Sequence, residues 1–181
     1  MSKIATFIDG AYLDFLLKNE FNLVKIKYDA LAAMMAESSE ILRTYYYNCP
    51  PYQSSAPTPD ERERFAKAQR FYTYLERLPR YEVRLGRLAL RGCNHLGEPI
   101  FEQKRVDLML GVDLALLSGK GQITDAALLA GDSDLIPAVV AAKSQGVVVH
   151  LFHGPTYHKD LWDHADERVP ITLDFIKAIK A

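Results

Sequence analysis

Three short runs of the chain are apolar almost throughout: Ile4–Ile8 (IATFI), Ala126–Ala130 (AALLA) and Val147–Phe152 (VVVHLF). Runs this short, without polar alternation, describe strands buried on both faces, as in a parallel sheet covered by helices. Ile41–Asn48 (ILRTYYYN) is β-branched and aromatic and predicts a further strand, and Tyr81–Leu90 alternates as a half-exposed strand does. Val169–Leu173 is strand-like as well. Helices are expected between them, over Ala11–Lys18, Tyr28–Ser38, Gln103–Leu117 and Leu135–Ser144, the last ended by Gly146. Thr58-Pro59-Asp60-Glu61 predicts another helix start, with Thr58 as N-cap, Pro59 in the first turn and Glu61 completing a capping box; Pro79 ends that helix near Leu78. Cys49–Pro59, with four prolines, reads as a loop, and Gly92–Pro99 as a turn-rich excursion. Strands alternating with helices place the chain in the α/β class, with a parallel sheet and helices on both faces. No repeat, low-complexity tract or linker divides residues 1–181, which predicts one domain.

Composition narrows the function classes. The formal net charge of −1 over 181 residues excludes a protein that coats nucleic acid by bulk charge, though not one that touches a few phosphates through a local basic patch. Cys49 and Cys93 form neither a C-x-x-C nor a zinc spacing, so no disulfide framework or structural zinc is expected, and free thiols suit a reducing cytoplasm. The N-terminal apolar run ends at Asp9, too early for a signal peptide or membrane span, and no membrane association is expected.

Ligands of open α/β sheets bind beyond the carboxyl ends of the strands. Asp9 directly follows the first strand, and Asp132 and Asp134 follow the strand Ala126–Ala130. If these strands are neighbours, the three carboxylates arrive at one edge. Each alone is equally a helix cap. The segment Gln103–Leu117 has almost no polar face, which predicts a helix buried all round, yet it carries Asp107 and Asp113. A buried carboxylate needs a partner, and Lys104 or Arg105 would serve as one. Asp107 and Asp113 are six residues apart, roughly 600° around a helix, so they do not share a face. Asp107 is the better candidate for the site, because the helix N-terminus favours negative charge. Converging carboxylates repel unless protons or a cation neutralise them, and a hard divalent ion with oxygen ligands, Mg²⁺ or Mn²⁺, answers that need and suits phosphodiester hydrolysis.

Several segments together resemble the NYN domain. They are Phe7-Ile8-Asp9-Gly10, Lys104-Arg105-Val106-Asp107, and Gly131-Asp132-Ser133-Asp134-Leu135-Ile136-Pro137 followed by Gly146-Val147-Val148-Val149. More narrowly they are similar to its LabA-like (DUF88) branch, relatives of the PIN nucleases, with Leu161–Asp166 similar to that family's closing segment. The resemblance implies a Rossmann-like, PIN-like fold, a metal-dependent ribonuclease activity on RNA, and an acidic catalytic and metal site at Asp9, Asp107, Asp132 and Asp134, with Asp113 at a further commonly acidic position. Two positions depart from the family pattern. Tyr12 stands where Asn is frequent, and Ala130 where Ser precedes the Gly-Asp-x-Asp. A module that binds RNA or protein without turnover is the alternative these departures support. A phosphatase of the haloacid dehalogenase type is the enzymatic rival, against which Ala11 stands where that chemistry needs a second aspartate.

The region from Asp60 to Arg105 is locally basic, which describes either a solvated face or a rim that tracks phosphates. On the second reading Arg84, Arg87, Arg91, Lys104 and Arg105 contact the nucleic acid, with single-stranded RNA as the expected partner; a homodimer is the further assembly considered. His150 and His153 flank a strand end, where one would act as an acid for the leaving group or be an ordinary polar residue. Tyr45-Tyr46-Tyr47 is read as sheet packing. No dinucleotide fingerprint, P-loop or nucleophile elbow is present.

Overall fold

The computed structural model describes residues 2–181. Six parallel strands form the main sheet: β1 (Lys3–Asp9), β2 (Glu40–Asn48), β3 (Tyr81–Leu85), β6 (Asp125–Leu129), β7 (Val148–His153) and β8 (Glu167–Pro170), in the order β3-β2-β1-β6-β7-β8. Between β3 and β6 in the chain, β4 (Arg87–Cys93) and β5 (Pro99–Lys104) pair as a separate antiparallel hairpin. The helices are α1 (Gly10–Asn19), α2 (Tyr28–Ala36), α3 (Pro59–Glu76), α4 (Val106–Gly119), α5 (Ile136–Ser144), α6 (Lys159–His164) and α7 (Leu173–Ala178).

The sheet is buried on both faces by alternation along each strand. Ile4, Ile8, Tyr46, Leu129 and Phe152 belong to one core, built with Leu13, Leu16, Leu31, Met35 and Leu75. Ala5, Phe7, Tyr45, Tyr47, Leu128 and Leu151 belong to the other, built with Val106, Leu110, Leu114 and Val139. Tyr46 and Tyr47 are fully buried, which bears out the packing role of the tyrosine run. The same parity carries the ends of the strands: Asp9 continues the side of Ala5 and Phe7, and Cys49 that of Tyr45 and Tyr47, so both turn toward α4.

The helix of α3 begins as its residues dictate, with Thr58 Oγ1 accepting from the Glu61 N–H at 3.2 Å and the Glu61 carboxylate accepting from the Thr58 N–H at 2.9 Å. Four expectations are corrected. Tyr81–Leu90 is two strands, broken at Gly86, where a Cβ would lie 2.4 Å from the Lys104 carbonyl oxygen as the hairpin crosses the chain. Residues 103–104 are strand rather than helix, because pairing with Arg87 and Leu88 recruits them into β5. Arg105, at φ 78, then turns the chain sharply into α4. The helix is also not buried all round: Val106, Leu110 and Leu114 enter the core, while Leu108, Val112 and Leu116 are exposed, Leu108 by 70%. The sheet covers only one side of it, so apolar composition overstated its burial. At the C-terminus, β8 ends at Pro170 and Leu173 already opens α7. Among the described residues no helix is long and apolar enough to cross a membrane.

Candidate active site

The strand order reverses direction at β1: β2 and β3 extend to one side of it, β6, β7 and β8 to the other. The crevice beyond the carboxyl ends of β1 and β6 is therefore the topological switch point, where open α/β sheets bind ligands. Ile8 pairs with Leu129 there, so Asp9 and the segment Ala130-Gly131-Asp132 leave the sheet side by side.

Asp9 is both cap and site residue. Its Oδ1 accepts from the N–H groups of Ala11 (3.0 Å) and Tyr12 (3.1 Å), which fixes the carboxylate and leaves Oδ2 without a hydrogen bond to the described residues. Asp132 repeats the device: its Oδ1 accepts from the Asp134 N–H at 3.0 Å and caps the 3₁₀ turn Ser133–Leu135 that opens α5. Capping and ligand binding, weighed as alternatives on the sequence, are compatible because each uses a different oxygen.

Asp107 arrives from α4. Val106 points into the core, and Asp107, one residue on, lies about 100° around the helix. Gly111 and Ala115 follow on its side and share a groove with Pro137, Ala138 and Ala141 of α5. A Cβ on Gly111 would stand 3.4 Å from that of Ala138, so a seam of small residues brings the two helices together. Asp107 and Asp134 line the same groove.

The carboxylates act on one another in pairs. Burial, with repulsion from Asp107 and Asp132, raises the Asp9 pKa to about 6 against the two N–H bonds that lower it. Burial also raises Asp107, with repulsion from Asp132 and Asp134. Among the described residues no Lys, Arg or His lies within ion-pair distance of these four carboxylates; the ion pairs formed lie elsewhere. Lys104 pairs with Glu102, so it does not neutralise Asp107.

Asp113 is not part of this group. Seven residues after Val106 it returns to the inner face of α4, where its Oδ2 accepts from the Tyr47 hydroxyl at 2.9 Å and stands 3.4 Å from Arg84 Nε. Arg84 is thus held between Asp113 and Glu82 (2.8 Å). Arg91 pairs with Glu102 on the hairpin. Arg87 and Arg105 are exposed and without an acidic partner among the described residues, and Arg87 is the register partner of Lys104, which directly precedes Arg105 in the chain.

The oxygen-only donor set suits a hard divalent ion. Among the described residues no three His, Cys, Asp or Glu side chains close into a cage around one point.

An open cavity of about 420 Å³ adjoins the carboxylates and is lined by Asp9, Asp132, Tyr12, Phe15, Tyr157 and His158 among others. The Tyr12 hydroxyl donates to the Thr156 carbonyl (2.6 Å) and accepts from the Gly154 N–H (3.0 Å), tying residues 154–156 to α1. The histidines fall differently from expectation. His150 contacts Asp125 (3.0 Å) at the opposite end of β6. His153 is buried, with Nδ1 at 2.9 Å from the Gly154 carbonyl. It is His158, with its N–H bonded to the Gly131 carbonyl at 3.0 Å, that lines the cavity. Nothing in the local sequence marks His158, Tyr157 or Phe15, because they belong to the site only through the Tyr12 and Gly131 contacts.

A parallel sheet covered by helices, with acidic side chains at its switch point, defines an α/β domain of the PIN-like kind. The NYN domain family model matches residues 3–172, and the chain belongs to that family. The NYN domain is a member of the PIN-like nuclease superfamily, which supports nuclease activity on a nucleic acid. The fold is similar to that of a protein of unknown function from Vibrio parahaemolyticus, with a TM-score of 0.69 and 19% identity, over 97% of this chain and 96% of that one. No curated protein matches the chain.

Proposed function

We propose that this protein is a ribonuclease of the LabA-like (DUF88) branch, hydrolysing phosphodiester bonds of single-stranded RNA at Asp9, Asp107, Asp132 and Asp134 with bound Mg²⁺ or Mn²⁺. The observation that carries the reading is the mutual repulsion of Asp9, Asp107 and Asp132 at the switch point, with Asp134 beside Asp107, where no cationic side chain among the described residues pairs with them. A divalent ion bound there supplies Lewis acidity toward a phosphoryl oxygen and a water. The free oxygens of Asp9 and Asp132, oriented by their capping bonds, are the ligands this chain offers first. Asp107, at the start of α4 and sharing a groove with Asp134, takes the proton of the attacking water. Asp134, exposed at the rim, orients that water. Arg87, Lys104 and Arg105 hold the flanking phosphates. The free thiols of Cys49 and Cys93 suit a cytoplasmic setting.

A second reading, an RNA-binding module without turnover, draws on Tyr12. Its hydroxyl is engaged by the 154–156 segment and does not reach a substrate, and Ala130 offers no hydroxyl beside Asp132. Labelled single-stranded RNA incubated with Mn²⁺ or EDTA separates the two. Metal-dependent cleavage, lost in Asp107→Asn with far-UV circular dichroism unchanged, is the expected result. Binding without cleavage by the unaltered protein would establish the module instead.

A further inference from the structure

The cavity beside the carboxylates has features that hydrolysis alone does not require. Two aromatic rings line it while open to solvent, Phe15 by 41% and Tyr157 by 37%. Tyr157 is held in place: its ring stacks with that of Trp162 at 6.4 Å and 24°, and lies 4.6 Å from the ring of His153. The backbone on either side of it is tied to both carboxylate loops. Tyr12, whose N–H Asp9 caps, holds Gly154 and Thr156, and the backbone N–H of His158 is bonded to the carbonyl of Gly131. Phe15 stands one turn beyond Tyr12 on α1. Both exposed rings therefore keep a fixed position relative to Asp9 and Asp132.

The charge of the cavity restricts its occupant. Besides Asp9 and Asp132 its wall includes Tyr12, Phe15, Tyr157 and His158 with no Lys or Arg, so away from the two carboxylates it offers aromatic surface to a neutral planar group and no Lys or Arg partner to a phosphate. Its volume of about 420 Å³ lies toward the small end of the roughly 300–1,000 Å³ typical of small-molecule sites. That is room for one nucleoside, not for a stack of several.

We propose that this cavity receives one unpaired nucleobase of the strand being cut, stacked on Phe15 and Tyr157; the proposal rests on the nuclease reading above. Stacking on aromatic rings needs no base-specific hydrogen bonds, so the site accepts purines and pyrimidines alike. A base in a duplex enters only by leaving its stack, and the cavity thereby selects single strands and bases already flipped out. Selection for single-stranded substrate then resides in Phe15 and Tyr157, not in the carboxylates.

The test uses the full chain and an oligoribonucleotide carrying 2-aminopurine, walked along the strand one position at a time, in EDTA and in Ca²⁺. Stacking quenches this base, so emission should fall on binding at one position. Phe15→Ala and Tyr157→Ala should each remove the quench and weaken binding about tenfold, in the range of a lost base–aromatic stack, while Tyr157→Phe retains both. Both rings are exposed, so melting temperature serves as the check that the alanine variants are folded. A strand abasic at the quenching position should bind the unaltered protein about tenfold more weakly and the alanine variants with no further loss. Binding without a position-specific quench, variants that bind and quench like the parent, or no binding in either condition each overturn the proposal. Cleavage in Mn²⁺ is scored separately. Quenching without cleavage keeps the cavity and removes the nuclease reading; cleavage without quenching or abasic sensitivity does the reverse.

Discussion

A Cβ placed on Gly131 would lie 2.5 Å from Cε2 of Tyr12, so the residue before Asp132 and the residue three after Asp9 are fitted to one another. The tyrosine ring cannot withdraw freely, because its hydroxyl is bonded to Gly154 and Thr156. Tyr12 thereby acts as a strap between the two acidic loops and the segment that carries Tyr157 and His158.

Gly131→Ala should therefore damage the site more than a surface alanine would. The added methyl forces Tyr12 aside at a cost of about 1–3 kcal/mol, typical of overpacking. Thermal melting should show a fall of several degrees. Tyr12→Phe, which keeps the ring and loses the two hydroxyl bonds, should cost about 1–2 kcal/mol and raise amide exchange in residues 154–158. Unchanged exchange there would show that the strap is not the element holding that segment.

Asp9 makes the metal-free protein sensitive to acid in an unusual direction. Its folded pKa of about 6 is above the ordinary carboxylate value, so the folded state binds the extra proton. The associated stability is fully present below about pH 4 and is lost as pH rises through about 6, on the order of 3 kcal/mol. Asp9→Asn keeps the capping oxygen and removes the titration. Denaturant unfolding in EDTA at pH 4, 5, 6 and 7 should show this component falling with pH in the parent and absent from the variant, as a difference between the two curves.

Asp132→Asn tests the repulsion directly. In EDTA it should be neutral or stabilising, since it removes one of the mutually repelling charges and preserves the bond from the Asp134 N–H. In the parent, Mn²⁺ should raise the melting temperature by mass action, about 2.7 kcal/mol at a hundredfold excess over its dissociation constant. The variant should lose much of that rise. A variant destabilised by several degrees in EDTA with its metal response intact would make Asp132 a cap alone.

Asp113 should behave as a structural residue. Asp113→Asn weakens the tie among α4, Tyr47 and Arg84, at a cost of about 1 kcal/mol given the solvent exposure of Arg84. Cleavage measured at saturating metal should stay within about threefold of the parent. A loss as large as that of Asp107→Asn would instead draw Asp113 into the chemistry.

The carboxylates at strand ends were legible because their positions follow from local pattern. Short apolar runs specify buried strands, each run has a definite end, and the residue there must lie at the carboxyl edge; Asp9 and Asp132 are placed by that logic alone. The capping box of Thr58 and Glu61 was legible for the same reason, since both partners lie within one helical turn. What pattern could not resolve was long-range pairing. Gly86 separates β3 from β4 because Lys104 crosses beneath it, and residues 103–104 are strand because Arg87 and Leu88 lie across from them. Likewise Asp107 joins the cluster and Asp113 leaves it through the packing of α4 against α5 and Tyr47, and Leu108 is exposed because nothing in the described chain covers that side. Periodicity states which residues share a face of an element. Which neighbour that face meets is decided by contacts between residues distant in sequence, and only the folded chain contains them.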